Sequence, residues 1–201
     1  MLDCALRLRF QVYCQECEFL PASDYPRGLE SDEHDADAAH FYAFDDDDEL
    51  AGYVRLVRAD VNRRFPVQYH CAIFGDGTAL PPPEASAEVS RLMLRADFRR
   101  RRDDAVAGIS IEAEESPPET TVERRHEAPQ VLRSLYAQMT AYSRANGIRH
   151  WYAAMERPLA RTLSRHGGSF TPIGPATDYY GPVVPYVADL EQIDSGFSKG
   201  F

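Results

Sequence analysis

Residues 88–98 read EVSRLMLRADF, and their branched and apolar side chains are typical of a β-strand. On such a strand Glu88 and Ser90 share one face and Arg91 takes the other, unless a β-bulge intervenes. These three polar side chains have two interpretations: they are part of a structural ion-pair network, or they line a polar cavity. This strand is therefore the centre of the fold that we predict and of its candidate site.

The stretches on either side of this strand predict a mixed α/β sheet. Apolar residues at three- and four-residue steps predict an N-terminal helix that Pro21 ends. Residues 40–44 and 50–57 predict a hairpin with an acidic tip, and Pro129 is well placed to begin a second long helix. The remaining predicted elements are a strand over 148–155, a short helix over 158–166 and two strands over 170–173 and 183–190.

Residues 1–201 are expected to form one domain, because a chain of this length builds a single core easily. Residues 103–127 are rich in Glu and contain Pro117-Pro118, so we expect a flexible loop there. No stretch approaches the roughly 20 apolar residues of a membrane-spanning helix. Four cysteines are too few for a disulfide-stapled secreted scaffold, which favours a cytoplasmic location.

The formal charge of −10 arises from 22 basic and 32 acidic side chains. Such an excess of acidic groups argues against non-specific binding to nucleic acid. The charge is localised, since residues 24–49 hold eleven acidic residues and one basic residue while the rest of the chain is neutral. Arginine supplies 21 of the 22 basic residues, and arginine is suited to forked contacts with carboxylates and phosphates.

The motifs that are missing exclude several classes of enzyme. The chain holds no Gly-x-Ser-x-Gly elbow, Walker loop or dinucleotide fingerprint. Cys14 and Cys17 lie one helical turn apart without a second Cys/His pair at ligand spacing, so we expect no metal site and favour packing over redox chemistry. In the functional interpretation, a carboxylate takes a proton from an amine and arginines hold an anionic substrate. The charged and hydroxyl side chains on predicted ordered elements are Arg9, Asp32, Asp35, Arg55, Glu88, Ser90 and Arg91.

Two series of motifs carry a resemblance that runs over nearly the whole chain. The first resembles the pattern shared by LuxI-type autoinducer synthases and N-acyl amino acid synthases: Arg9-x-x-Val12-Tyr13, Asp32-x-x-Asp35, Gly52-x-x-Arg55-Leu56 and Glu88-Val89-Ser90-Arg91. The second resembles the PEP-CTERM/exosortase system-associated acyltransferases of that superfamily: Met155-Glu156-Arg157-Pro158-Leu159, Ile173-Gly174-Pro175 and Asp178-Tyr179-Tyr180-Gly181 with Pro185-Tyr186. Tyr180 stands where the family commonly has a histidine.

The resemblance implies a GNAT-like acyltransferase fold, in which a mixed, mostly antiparallel sheet has splayed central strands and flanking helices. It also implies the transfer of a fatty acyl group. The family takes the acyl chain from acyl carrier protein and moves it to an amine, which gives an N-acyl amino acid or an acyl-homoserine lactone.

 For this chain we expect a long acyl chain and a small-molecule amine acceptor.

The resemblance assigns roles to residues at matching positions. Glu88 matches the carboxylate that helps to deprotonate the amine. The charged and hydroxyl cluster that shapes the acceptor pocket is matched by Arg9, Asp32, Asp35, Arg55, Ser90 and Arg91. No tightly bound cofactor is implied, because the donor substrate is acyl-phosphopantetheine on the carrier protein.

Two further sets of residues are candidates for binding the donor. An apolar tunnel for the acyl chain has Met93, Trp151 and Met155 as candidate lining residues, with core packing as the alternative. A docking patch for the acidic carrier protein is expected at Arg99, Arg100, Arg101 and Arg102, with a solvated charge run as the alternative. The Arg/Gln-x-x-Gly-x-Gly/Ala pyrophosphate loop of CoA-using GNAT enzymes is absent after Phe98, which favours a carrier-protein donor over acyl-CoA.

Two other functions fit the same fold. One is a CoA-dependent N-acetyltransferase, and the other is a non-catalytic sensor that binds acyl groups or lipid. The sequence leaves the acceptor amine, the oligomeric state and peripheral contact with a membrane open.

Overall fold

The central sheet is built around the strand that contains Glu88. The computed structural model describes residues 1–74, 80–98, 119–165 and 168–193, with the backbone alone for residues 119–127. The strands within these residues are β1 (Ala39–Phe44), β2 (Leu50–Val57), β3 (Ser86–Leu94), β4 (His150–Met155), β5 (Phe170–Pro172), β6 (Thr177–Asp178) and β7 (Pro182–Asp189). Their order in the sheet is β1-β2-β3-β4-β7-β5, and β6 pairs with β7.

The middle of the sheet opens between β3 and β4. These two strands are parallel, whereas the other described pairs are antiparallel. Their pairing joins Ser86 to His150 at one end and Val89 to Ala153 at the other, although β3 continues to Leu94. The prediction of a mixed, mostly antiparallel sheet with splayed central strands is therefore confirmed.

A β-bulge interrupts β3 beside this opening. Tyr53 of β2 pairs with Met93 and Arg55 pairs with Ser90, so two steps along β2 match three steps along β3. Arg91 lies within the bulge and has a φ of +57°, which is uncommon for a residue other than glycine. The strict alternation of faces expected for a regular strand therefore does not hold at Arg91.

Four α-helices flank the sheet in the described part of the chain: α1 (Leu2–Phe10), α2 (Pro66–His70), α3 (Glu119–Ala145) and α4 (Arg157–Arg165). A π-helical segment, Gln11–Glu16, continues α1. None of the described helices is both long and apolar enough to cross a membrane.

The start of α3 differs from the prediction. The helix begins at Glu119, and Pro129 lies inside it rather than at its first position. Residues 119–128 contain Glu, Arg and Ala, which favour a helix, and Pro129 costs the helix only the one N–H that would otherwise donate to the carbonyl oxygen four residues earlier. Of the loop expected over 103–127, residues 103–118 lie outside the described residues and 119–127 belong to α3.

The end of β3 and the hairpin tip also differ from the prediction. β3 ends at Leu94, because the Phe98 N–H donates to the Arg95 carbonyl oxygen at 3.0 Å and closes a short turn. Arg95 also donates to Asp45 at the start of the acidic tip, with 2.6 Å between Nη2 and Oδ2. Asp45 is therefore an anchored, nearly buried carboxylate rather than a solvated one.

Helix α3 packs closely on β2. A Cβ placed on Gly52 would lie 2.7 Å from Val131 Cγ1 and 2.9 Å from Leu94 Cδ2, which is closer than real Cβ contacts. Glycine at this position therefore lets the helix approach the sheet. The main core then fills around fully buried side chains of α3 and β4, including Leu135, Met139 and Trp151.

Candidate active site

A cleft of about 290 Å³ lies where β3 and β4 diverge. Residues 88–93 of β3 line one side and residues 153–155 of β4 line the other. Past Val89 the backbone groups of β3 are not used in pairing with β4, so groups on that edge can serve a ligand. The rest of the wall comes from residues 12–19, from α3, from α4 and the residue before it, from β5 and β7, and from the turn after β6: Val12, Tyr13, Cys17, Phe19, Tyr136, Glu156, Leu159, Leu163, Phe170, Tyr179, Tyr180 and Val183.

Glu88 is a buried carboxyl group in the wall of this cleft. Its side chain is 3% exposed, and its Oε2 accepts a hydrogen bond of 2.7 Å from the Val67 N–H in α2. Burial raises the pKa of Glu88 to about 7, against the opposing effects of the Val67 hydrogen bond and the Arg55 and Arg91 charges. Both protonation states are therefore accessible near neutral pH, as a group that accepts and returns a proton requires.

Arg9 connects the N-terminal helix to the acidic segment. Its guanidinium lies 2.5 Å from Glu30 Oε2 and 2.5 Å from Asp35 Oδ1, and both Arg9 and Glu30 are fully buried. The backbone follows the same connection, because the Glu30 N–H donates to the Leu6 carbonyl oxygen at 3.0 Å. Arg9 thus holds α1 against residues 30–35.

Arg55 forms the second connection, from β2 to the same segment. Two parallel hydrogen bonds of 2.6 and 2.7 Å join its Nη1 and Nη2 to the carboxylate of Asp32, and Nη1 also donates to Asp35. Burial alone would raise the pKa of Asp32, but the hydrogen bonds and charge of Arg55 outweigh it and hold that pKa well below its usual range. Ser90 Oγ lies 3.4 Å from Arg55 Nη2.

Arg91 completes the network and is the member that lines the cleft. Its Nη2 lies 3.1 Å from Glu30 Oε1 and 3.2 Å from Asp32 Oδ2. The guanidinium stacks over the rings of Tyr13 and Tyr180, at 4.8 and 5.5 Å from their centroids. These cation–π contacts hold Arg91 and the two tyrosine rings in place at the edge of the cleft.

The structure thus brings the predicted charged residues together around one cleft. Glu88, Ser90 and Arg91 line the cleft, while Arg9, Arg55, Asp32 and Asp35 lie behind it in the ion-pair network. Glu30 joins that network, although the sequence motifs do not include it. Nothing in the acidic stretch distinguishes Glu30 from its exposed neighbour Glu33 before the fold is known.

The structure places two of the three candidate acyl-chain residues in the cleft and the third in the core. Met93 and Met155 line the cleft. Trp151 does not, because it pairs with Ala87 where β3 and β4 are still joined, and its indole packs in the core, where Nε1 donates to Ser143 Oγ at 3.0 Å. The prediction for Trp151 is corrected accordingly. The proposed docking residues Arg99, Arg100, Arg101 and Arg102 lie outside the described residues.

Comparisons with known proteins bear on the fold and on the class of enzyme. Residues 8–107 match the family model described as an acetyltransferase (GNAT) domain. An acyl-homoserine-lactone synthase of Aeromonas salmonicida is 26% identical over 143 residues, which are 70% of this chain and 56% of that protein. The chain therefore matches little more than half the length of this curated relative.

Solved structures extend the likeness over almost the entire chain. The CoA-dependent acyl-homoserine lactone synthase BjaI, solved with SAM and isopentyl-CoA, aligns with 98% of this chain and 78% of its own at a TM-score of 0.65 and 20% identity. The N-acyl amino acid synthase FeeM from uncultured soil microbes aligns with 94% of this chain and 84% of its own at a TM-score of 0.55 and 18% identity. The chain has the fold of GNAT-like acyltransferases.

Proposed function

We propose that the protein is an N-acyltransferase that moves a long-chain fatty acyl group from acyl carrier protein to the amine of an amino acid or a related small molecule. The observation that carries this proposal is Glu88, a carboxyl group with a pKa of about 7 in a cleft between splayed strands. The named activities of the similar proteins, acyl-homoserine lactone synthesis and N-acyl amino acid synthesis, support the same reaction class.

The reaction is a direct transfer between two bound substrates. Glu88 takes a proton from the acceptor amine, and the nitrogen attacks the thioester carbonyl carbon. Backbone N–H groups of β3 past Val89 stabilise the oxyanion that forms. The C–N bond is then complete, the C–S bond breaks, and the pantetheine thiol leaves with the proton.

The ion-pair network positions the acceptor. Arg9 and Arg55 are at most 1% exposed, so they shape the pocket from behind. Arg91 is different, because it lines the cleft and its described hydrogen bonds use only Nε and Nη2. Its Nη1 is the donor that an acceptor's oxygen would use, with Ser90 as the neighbouring hydroxyl.

The donor is the second part of the proposal. The missing pyrophosphate-loop motif after Phe98 supports a carrier protein, which would dock on Arg99, Arg100, Arg101 and Arg102. CoA is the alternative, because similar structures include CoA-dependent synthases. Acetyl-CoA that raises the Tm while long-chain acyl carrier protein leaves it unchanged would favour a CoA-dependent N-acetyltransferase.

Charge reversal tests the docking surface. Arg100→Glu with Arg101→Glu should raise the KM for acyl carrier protein and flatten its salt dependence, because fewer ion pairs form on binding. The same reversal at the exposed residues Arg161 and Arg165 of α4 is the comparison. An effect confined to the α4 variant would contradict docking at Arg99–Arg102.

Mass spectrometry of lipid extracts tests the reaction itself. Cells that express the wild-type protein or Glu84→Gln, which changes an exposed carboxylate, should accumulate a new N-acyl species. Cells that express Glu88→Gln should not. The absence of any new species in all three strains would favour the non-catalytic sensor. Association with exosortase-type sorting and a cytoplasmic location belong to this proposal and rest on the motifs and composition alone.

A further inference from the structure

A second cavity lies next to the cleft, on the other side of α4. This groove, of about 580 Å³, runs between α4 and strands β5 and β7. Phe170, the first residue of β5, lines both the groove and the cleft, and no other described residue does so. The half-buried Phe170 ring therefore forms a shared wall between the two cavities.

The two faces of α4 match the two cavities. Leu159 and Leu163 face the cleft, whereas the smaller Ala160 and Ser164 face the groove. Val184 and Tyr186 of β7 give the groove a buried apolar floor. A hydrocarbon chain that passed Phe170 would thus meet apolar surface on the far side.

The rim of the groove is also compatible with a hydrocarbon chain. Arg157, Arg161 and Arg165 are exposed and follow one another at four-residue steps along α4. Such side chains lay their methylene stems on apolar surface while their charged ends stay in water. The arginines can therefore border a chain without burying a charge.

The volumes indicate why a boundary between the cavities matters. Pockets for small molecules are commonly about 300–1,000 Å³. The cleft, at about 290 Å³, is at the lower end of this range, so the acyl chain that it holds beside the thioester and the amine would end at Phe170. A chain that continued past Phe170 would occupy the groove as well.

We propose that Phe170 is the residue that limits acyl-chain length, by closing the cleft against the groove. The proposal rests on the proposed acyltransferase function. In the wild-type protein the end of the chain contacts the Phe170 ring. Removal of the ring joins the two cavities and lets longer chains bind.

Binding of non-transferable donors provides the test. A series of S-alkyl pantetheine thioethers of increasing length is titrated into the protein by calorimetry. Each buried methylene should raise affinity roughly fourfold until the chain reaches Phe170, after which affinity should level off. Phe170→Ala should extend the rise by several methylenes, and Phe170→Trp should end it earlier. Phe74→Ala, which changes an exposed residue of the groove alone, should keep the wild-type profile.

Two outcomes overturn the proposal. One is an unchanged length profile in folded Phe170→Ala, and the other is an unchanged profile in Phe170→Trp if the alanine variant does not fold. The readout is independent of catalysis. If Phe170→Ala shifts the binding profile but neither the wild-type protein nor any variant transfers an acyl group, the proposed enzymatic function is refuted. The role of Phe170 in limiting chain length remains supported.

Discussion

Glu88 shows how a single residue combines a catalytic property with a cost to stability. Its side chain is almost completely buried and has one described hydrogen bond, from the Val67 N–H. A charged carboxylate in this position is only partly compensated, which is why burial raises its pKa to about 7. The folded protein therefore binds a proton at Glu88 more tightly than the unfolded chain does.

The stability difference between the wild-type protein and Glu88→Gln should depend on pH. The raised pKa stabilises the wild-type protein fully below the unfolded value of 4.5, and this contribution is lost as pH rises to about 7. At pH 8, Glu88→Gln should be more stable by about 3 kcal/mol, since each pKa unit corresponds to roughly 1.4 kcal/mol. Urea unfolding at pH 4.5 and pH 8 measures the difference, and equal differences at both pH values would contradict a raised pKa.

At the scale of elements, the ion-pair network holds three parts of the chain together. Arg9 comes from α1, Arg55 from β2 and Arg91 from the bulge of β3, and all three contact carboxylates of residues 30–35. Because the carboxylates and the guanidiniums are both largely removed from water, each depends on the other for compensation. The bulge is needed for this arrangement, since it reorients Arg91 toward the segment.

Removal of one guanidinium should therefore be costly. Arg55→Met should lower the free energy of unfolding by about 3–5 kcal/mol, because Asp32 loses its closest partner and Asp35 loses one of its two arginine partners in a largely buried site. Arg63→Met is the matched control, since the Arg63–Glu84 pair is exposed and should matter little. Denaturant unfolding of both variants checks the contrast. Similar small losses in the two variants would show that the network is not compensating buried charge.

The contact between α3 and β2 gives a second prediction at this scale. Gly52→Ala should destabilise the protein by about 1–3 kcal/mol, because its Cβ would overlap Val131 and Leu94. Val131→Ala should restore part of this loss in the double variant, since it removes the atom with the closest approach. Thermal unfolding of the two single variants and the double variant measures the coupling. Strict additivity would contradict a close helix–sheet approach at Gly52.

The elements also show where prediction from sequence succeeds. The hairpin, β4 and α4 have local signals, namely branched residues around an acidic turn and a short amphipathic pattern, and the structure places them within a few residues of the predicted bounds. The start of α3 differs from the predicted start because Pro129 is a strong local signal for the first residue of a helix, whereas in the structure the helix-forming residues before it are also helical. The short helix α2 has no periodic signal of its own.

At the scale of the whole molecule, the acidic segment turns out to have two roles. Glu30, Asp32 and Asp35 are compensated by arginines that lie far away in sequence, so they add to the structure of the site rather than to its surface charge. Residues 46–49 lie at the hairpin tip and are exposed. The motifs predict the candidate residues, but the pairing of Glu30 and the placement of Trp151 depend on tertiary contacts that no local pattern encodes.

The carboxylates of the network also determine how far the stability of the fold falls at low pH. The pKa values of Glu30, Asp32 and Asp35 are lowered, because hydrogen bonds and charges of the arginines outweigh burial. Their stabilising contribution is present above the unfolded pKa values of roughly 4 and is lost as pH falls further. We therefore expect the Tm to drop steeply below pH 4, and a Tm that stays constant down to pH 2.5 would contradict this.

The pH dependence of kcat/KM tests the central claim most directly. Transfer from long-chain acyl carrier protein to the amine identified in lipid extracts is measured for the wild-type protein and Glu88→Gln. The wild-type rate should rise with pH through an inflection near 7, because the deprotonated carboxylate accepts the proton. Glu88→Gln should be slower by about 10²–10⁴-fold and should lack that inflection. Equal rates, or the same inflection in both proteins, would contradict the role of Glu88 as the base.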